Sequence, residues 1–183
     1  MIYLLRHGKT FANDAGLVQT TSDTSMNSLT SESLSATIEV SKQLKTLDID
    51  MILISPRKRC EQTIHNFYIN SNIPLITVEN LKEVDLSIFD NCKQTDTVLD
   101  STFLTTLSEM SKSVDYPFNN SVESLRSVEK RIDHILSSLN KDKNYLIVSH
   151  GLFLACFQAY YITGNICNFE DFRMKNLELT VLN

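Results

Sequence analysis

Leu4-Leu5-Arg6-His7-Gly8-Lys9-Thr10 is the stretch from which the fold of this 183-residue chain is read. The apolar run Met1-Ile2-Tyr3-Leu4-Leu5 leads into it with the make-up of a buried β-strand, and a cationic pair followed by glycine closes it. Arg6 and His7 therefore stand at the carboxyl end of a strand, the edge of an open α/β sheet where ligands bind. Gly8 permits a sharp turn or a close backbone approach there. Taken alone, Arg-His-Gly reads equally well as a strand that happens to end in polar residues. Partners further along the chain decide the matter.

Outward from this stretch, strand and helix patterns alternate. Phe11 to Asn27 is polar and reads as a long loop. Thr30-Ser31-Glu32-Ser33 has the character of a helix start, with Leu34, Ile38 and Leu44 expected on the buried face as far as Leu47. Met51 to Ile54 is a second buried strand, stopped by Ser55-Pro56; a helix from Arg57 to Tyr68 and a short strand from Pro74 to Val78 follow. Residues 80–120 are less regular, with helical spacing from Val98 to Ser111. Ser121-Val122-Glu123-Ser124 opens an amphipathic helix through Val128, Ile132, Ile135, Leu136 and Leu139. Asn144 to Val148 is a buried strand ending in Ser149-His150-Gly151, a helix runs from Leu152 to Ile162, and Leu177 to Leu182 alternates as an edge strand would. The order predicts an α/β fold, a three-layer α/β/α sandwich with a mostly parallel central sheet. One domain over 1–183 is expected, with a short cap insertion at about 80–120.

Composition excludes several classes. Hydrophobic content of 42%, charged content of 21% and a net charge of −5 suit a soluble globular protein. The only basic cluster is Arg57-Lys58-Arg59, so nucleic acid is not an expected partner. Cys60, Cys92, Cys156 and Cys167 form no C-x-x-C pair and read as reduced thiols. Arg6 and His7 interrupt any leader-like run, and the longest apolar stretch, Leu152 to Ile162, is too short for a bilayer. A cytoplasmic protein without a membrane partner is expected.

Three buried strands end in polar residues that parallel pairing would bring together: Arg6-His7-Gly8, Ser55 to Thr63, and Ser149-His150-Gly151. Two histidines and at least two arginines would share one crevice. Guanidinium groups match phosphate oxygens in bidentate fashion, and a neutral imidazole among them can attack phosphorus. Neither histidine has a metal-like partner three or four residues away on a helix, so zinc is not expected. Cys60 and the Phe67, Tyr68, Phe157, Tyr160 and Tyr161 groups read as packing, and His65 and His134 as partly exposed helix residues.

Here the chain resembles the histidine phosphatase superfamily, also called phosphoglycerate mutase-like. Its R-H-G-x-T-x-x-N stands as Arg6-His7-Gly8-Lys9-Thr10-Phe11-Ala12-Asn13, its S-P-x-x-R-A-x-Q-T as Ser55-Pro56-Arg57-Lys58-Arg59-Cys60-Glu61-Gln62-Thr63, and its V-S-H-G as Val148-Ser149-His150-Gly151. Weaker matches are Leu29-Thr30, and Glu123-Ser124-Leu125 with Arg131. The resemblance implies that His7 attacks phosphorus and becomes a phosphohistidine. It implies that Arg6, Arg59 and His150 hold the phosphoryl oxygens beside Gly151, and that Asn13 and Thr10 add hydrogen bonds. It also implies that Glu83 protonates the leaving oxygen and then activates water, with no metal or organic cofactor. Two departures stand out: Leu86 to Asn91 keeps only an aromatic of the family's W-E-G segment, and Thr20 follows Gln19 where the family often has glycine.

What the resemblance implies in function is a metal-independent, histidine acid phosphatase-type phosphomonoesterase acting on a small phosphorylated substrate. A catalytically weak phosphate-binding pseudo-enzyme is the alternative from another class. A mutase is a third reading, disfavoured because family mutases carry a larger insertion and a C-terminal tail.

Overall fold

The computed structural model describes residues 1–93, 97–117 and 122–183. Ser121, the expected start of the second long helix, and parts of the expected cap at 94–96 and 118–120 lie outside them. Five strands form the sheet: β1 (Ile2–Arg6), β2 (Met51–Ile54), β3 (Leu75–Thr77), β4 (Tyr145–Ser149) and β5 (Leu179–Leu182). Their order is β3-β2-β4-β1-β5, with every pair parallel except β1 with β5. The sheet is thus mostly parallel, and the alternating strand at the end of the chain closes one edge antiparallel.

Alternation along each central strand feeds two cores. Ile2 and Leu4 of β1, Leu53 of β2, and Tyr145 and Ile147 of β4 face α5 (Leu125–Ser138) and α6 (Gly151–Thr163). Tyr3 and Leu5, Ile52 and Ile54, and Leu146 and Val148 face the other layer, α2 (Ser31–Leu44) and α3 (Lys58–Tyr68). Fully burying each such side chain contributes roughly 1.5–3 kcal/mol. β3 is the exception to the buried-strand pattern: Ile76 is exposed on this edge strand.

Three local expectations are corrected. Phe11 to Asn27 is not all loop, because Thr10 and Asn13 close a capping box on the short helix α1 (Phe11–Asp14), and Ser25–Asn27 makes a 3-10 turn. The buried face of α2 is not the Leu34/Ile38 stripe, which is 41% and 49% exposed; Ser33, Thr37, Val40, Ser41 and Leu44 are buried instead. Small residues win there because α2 lies close to α3 and to the β1 turn. The Thr37 hydroxyl donates to the Leu34 carbonyl at 2.7 Å and accepts from Asn66 Nδ2 at 3.0 Å, so its polar group is satisfied without water. Among the aromatics, Phe67 and Phe157 are core, whereas Tyr68 and Tyr161 are exposed.

From residue 79 the chain passes over the α5/α6 face, sealed by Leu81, Val84, Leu86 and Phe89, before α4 (Thr97–Met110). Arg131 on α5 straps this crossing down. Its Nη1 donates to the carbonyls of Asn80 and Lys82 at 2.9 and 2.8 Å, and its Nε and Nη2 hold Glu123 at 3.0 and 2.7 Å. No helix among the described residues is long and apolar enough to cross a membrane.

Candidate active site

Parallel register places the strand ends side by side. Arg6 pairs with Ser149, and Val148 lies between Leu5 and Ile54. The next residues, His7, Ser55 and His150, therefore emerge at one edge of the sheet. Gly8 is the pivot. Its N–H donates to Thr63 Oγ1 at 2.9 Å, and a Cβ on it would sit 2.4 Å from Ser33 Oγ. A second glycine is required behind it, since a Cβ on Gly151 would lie 2.9 Å from Arg6 Cζ. The two glycines thus hold α2 against the first turn and let the Arg6 guanidinium lie on the start of α6.

His7 is buried, and its Nδ1 lies 2.8 Å from the Gly8 carbonyl. A carbonyl only accepts, so Nδ1 carries the proton and Nε2 keeps its lone pair. Burial first and then Arg59, with Arg6 adding to it, hold the His7 pKa well below the usual histidine value, against a smaller opposing pull from the Gly8 carbonyl. His150 shares this environment. Burial, Arg59 and His7 push its pKa well down, with smaller effects from Arg57 and Arg6. Arg59 Nε donates to His150 Nδ1 at 3.2 Å, which leaves Nε2 protonated and donating to Ser55 Oγ at 2.7 Å. Both ring nitrogens of His150 are thereby engaged by protein, and the ring meets His7 edge-on at 5.2 Å.

A cavity of about 170 Å³ opens over His7, bounded by Arg6, Asn13, Glu83 and Gly151. Arg6 Nη1 donates to the Met174 carbonyl at 2.5 Å, while its Nε is buried with no hydrogen-bond partner among the described residues. Glu83 accepts from the Phe153 and Leu152 amides at 2.8 and 3.2 Å and from its own neighbour Val84 at 2.9 Å, so its carboxyl sits on the first turn of α6. Asn13 spends its carbonyl oxygen on the Thr10 amide at 3.2 Å, leaving Nδ2 as its donor toward the cavity. Thr10 does not line the cavity; its hydroxyl accepts from the Asn13 amide at 3.1 Å and caps α1. Arg59 and His150 lie behind the cavity wall rather than in it. Arg59 Nη2 donates to the Thr20 carbonyl at 3.3 Å, and Nη1 stands 3.8 Å from Asp23 without a hydrogen bond.

Two polar or charged cavity residues, Gln19 and Arg173, are not among the site residues expected from the sequence. Gln19 gives its carbonyl oxygen to Asn27, so its buried Nε2 has no partner among the described residues. Arg173 closes the far side, held by Glu170 at 2.7 and 3.0 Å. Gln19 was within reach of sequence reading through its distance from Asn13; nothing local marks Arg173. The segment that departs from W-E-G keeps its shape by other residues. Asp90 accepts from the amides and hydroxyls of Thr20 and Thr21 at 2.6–3.2 Å, and Asn91 takes a positive φ of 67° where glycine is usual. Cys60 packs against Ser149 and His150, each 3.8 Å from its sulfur, with its thiol pushed up to about 12 by burial, which fits packing rather than reactivity.

A family model for the histidine phosphatase superfamily, branch 1, matches residues 2–183. The chain belongs to that superfamily. The alpha-ribazole phosphatase from Shigella flexneri superposes with a TM-score of 0.79 at 20% identity, over 97% of this chain and 87% of that one. A phosphoserine phosphatase from Entamoeba histolytica, solved with 3-phosphoglyceric acid, superposes with a TM-score of 0.78 at 23% identity over 97% and 87%. Identities this low establish the fold and nothing finer. A probable phosphatase of Schizosaccharomyces pombe is 32% identical over 83 residues, 45% of this chain and 38% of that protein's length.

Proposed function

We propose that this histidine phosphatase superfamily member hydrolyses a small phosphate monoester through a phosphohistidine on His7. The observation that carries the reading is the tautomer of His7. Gly8 fixes the proton on Nδ1, and the lone pair of Nε2 belongs to a ring bordering the cavity that Arg6 and Glu83 share.

On this reading Nε2 attacks phosphorus as the bond to the leaving oxygen breaks, and Glu83 delivers a proton to that oxygen. Arg6 meets the phosphoryl oxygens directly, with Asn13 and Gln19 as neutral donors. Arg59 contributes charge from behind, held in line by His150. Water then attacks phosphorus while Glu83 takes up its proton. The N–P bond breaks, its electron pair returns to Nε2, and inorganic phosphate leaves. Each proton has a named carrier, and the chemistry calls for no metal.

Hydrolysis of an aryl phosphate in the presence of EDTA, for the wild type and His7→Ala, tests this. Turnover that survives chelation and vanishes in the variant supports it. Equal turnover in both proteins removes His7 as nucleophile. Phosphate binding without turnover in the wild type marks a binding module instead.

A further inference from the structure

We propose that Arg57 forms a second anion subsite beside the catalytic cavity, and that the substrate is a phosphate monoester whose leaving group carries a further anionic group, a carboxylate or a second phosphate. This rests on the phosphomonoesterase reading above and adds the class of leaving group.

A groove of about 620 Å³ adjoins the cavity, and Glu83 lines both. A leaving group protonated by Glu83 therefore extends into this groove. Its other charged residues are Arg57, Lys82 and Arg131 against Glu79, Asp85 and Glu123. Most are already matched. Arg131 and Glu123 form a two-point ion pair, and Lys82 pairs with Glu79. Glu83 takes the α6 amides, and Asp85 accepts from the Ser87 amide at 2.9 Å.

Arg57 is the exception. Its residue type suits either a solvated helix start or contact with a charged substrate, and its side chain is only 19% exposed, with Nε buried and without a hydrogen-bond partner among the described residues. Among the described residues its one carboxylate within 4 Å is Asp23, 3.6 Å from Nη1 and not hydrogen-bonded. The same carboxylate stands 3.8 Å from Arg59. A guanidinium fork with unmet donors, partly desolvated, is suited to a carboxylate or phosphate. It is also near the catalytic pair, since it helps to hold the His150 pKa down. A phosphoryl group in the cavity and a second anion on Arg57 would lie on either side of Glu83.

The test is calorimetric titration with matched pairs, an alkylphosphonate and the ω-carboxyalkylphosphonate of equal chain length, over several lengths. These probes report binding without turnover. The wild type is expected to bind at least one carboxylated member about tenfold more tightly than its partner. Arg57→Gln should reduce that advantage to about twofold or less, and Arg57→Lys should keep part of it. No preference in the wild type at any length would overturn the subsite. So would equal weakening of both members by Arg57→Gln, which would mean that Arg57 only pins the Asp23 loop. Aryl phosphate turnover without a carboxylate preference removes the subsite alone; absence of both turnover and phosphonate binding removes the reading of the cavity and the subsite together.

Discussion

Arg59 donates from Nε to His150 Nδ1 across 3.2 Å, and this bond orders the protons of the whole cluster. Arginine does not accept, so His150 must present a lone pair to it and pass its own proton to Ser55. A protonated His150 would have two donors facing each other on that side. The cluster is built around neutral imidazoles.

Stability should therefore fall with acid. His7 and His150 have folded pKa values depressed below the ordinary 6.5, so the unfolded chain takes up their protons more readily. Their stabilisation is complete well above pH 6.5 and is lost as pH falls below it, by up to about 1.4 kcal/mol per pH unit for each histidine. Urea midpoints at pH 7.5 and 5.5 measure this, and His7→Gln should make the dependence shallower. A flat profile over that range contradicts the assignment.

Glu83→Gln should separate chemistry from folding. If Glu83 is the acid of the proposed mechanism, kcat should fall by roughly 10²–10⁴-fold, more for an alkyl ester than for nitrophenyl phosphate, whose leaving group needs little protonation. Removing the charge from the first turn of α6 costs only about 1 kcal/mol or less, because the amide oxygen still accepts from a backbone N–H. Comparable losses on both esters would argue against Glu83 as acid.

Gly8→Ala should destabilise by about 1–3 kcal/mol through the overlap of its Cβ with Ser33 Oγ. Ser33→Ala in the same chain removes that oxygen and should restore part of the loss. Leu29 and Leu177, at 3.1 and 3.2 Å from the same Cβ position, prevent full recovery. A double-mutant cycle with no coupling would show that the backbone, not Ser33, sets the requirement.

Arg131→Met leaves Glu123, whose side chain is 14% exposed, with no cation and only the Asp85 amide and Ser127 hydroxyl as donors among the described residues, and leaves two carbonyls without theirs. A loss of about 3 kcal/mol is expected. Adding Glu123→Gln should recover some of it. Because those carbonyls flank the Glu83 segment, the double variant should still turn over more slowly than the wild type.

The sequence made the strand ends legible because one-dimensional signals carry them: an apolar run, a polar stop, and parallel pairing that fixes where the stops meet. Arg6, His7, Ser55, Arg59 and His150 converge for that reason. It failed where the deciding contact is remote in sequence. Ser33 is buried because Gly8 leaves room for it, and no periodicity in α2 announces that; hydrophobicity alone turned Leu34 and Ile38 inward. Arg59 reads as a phosphate ligand from its motif, but its partners Thr20 and Asp23 come from a polar loop whose path depends on Asp90, about seventy residues on. Arg173 reaches the cavity because the segment before β5 is tied to the first turn, Met174 by Arg6 and Asn176 by the His7 carbonyl.

The grip of Thr20 and Asp23 on Arg59 has a bearing on the end of the catalytic cycle. A phosphate-binding pocket strong enough to capture an ester is also strong enough to keep inorganic phosphate, which makes product a competitive inhibitor. Here the buried cation Arg59 keeps a backbone carbonyl and a nearby carboxylate of its own behind the cavity wall. On the proposed reading its charge reaches the phosphoryl group without a direct bond, so departing phosphate breaks no contact with it. Release is eased by the fold itself.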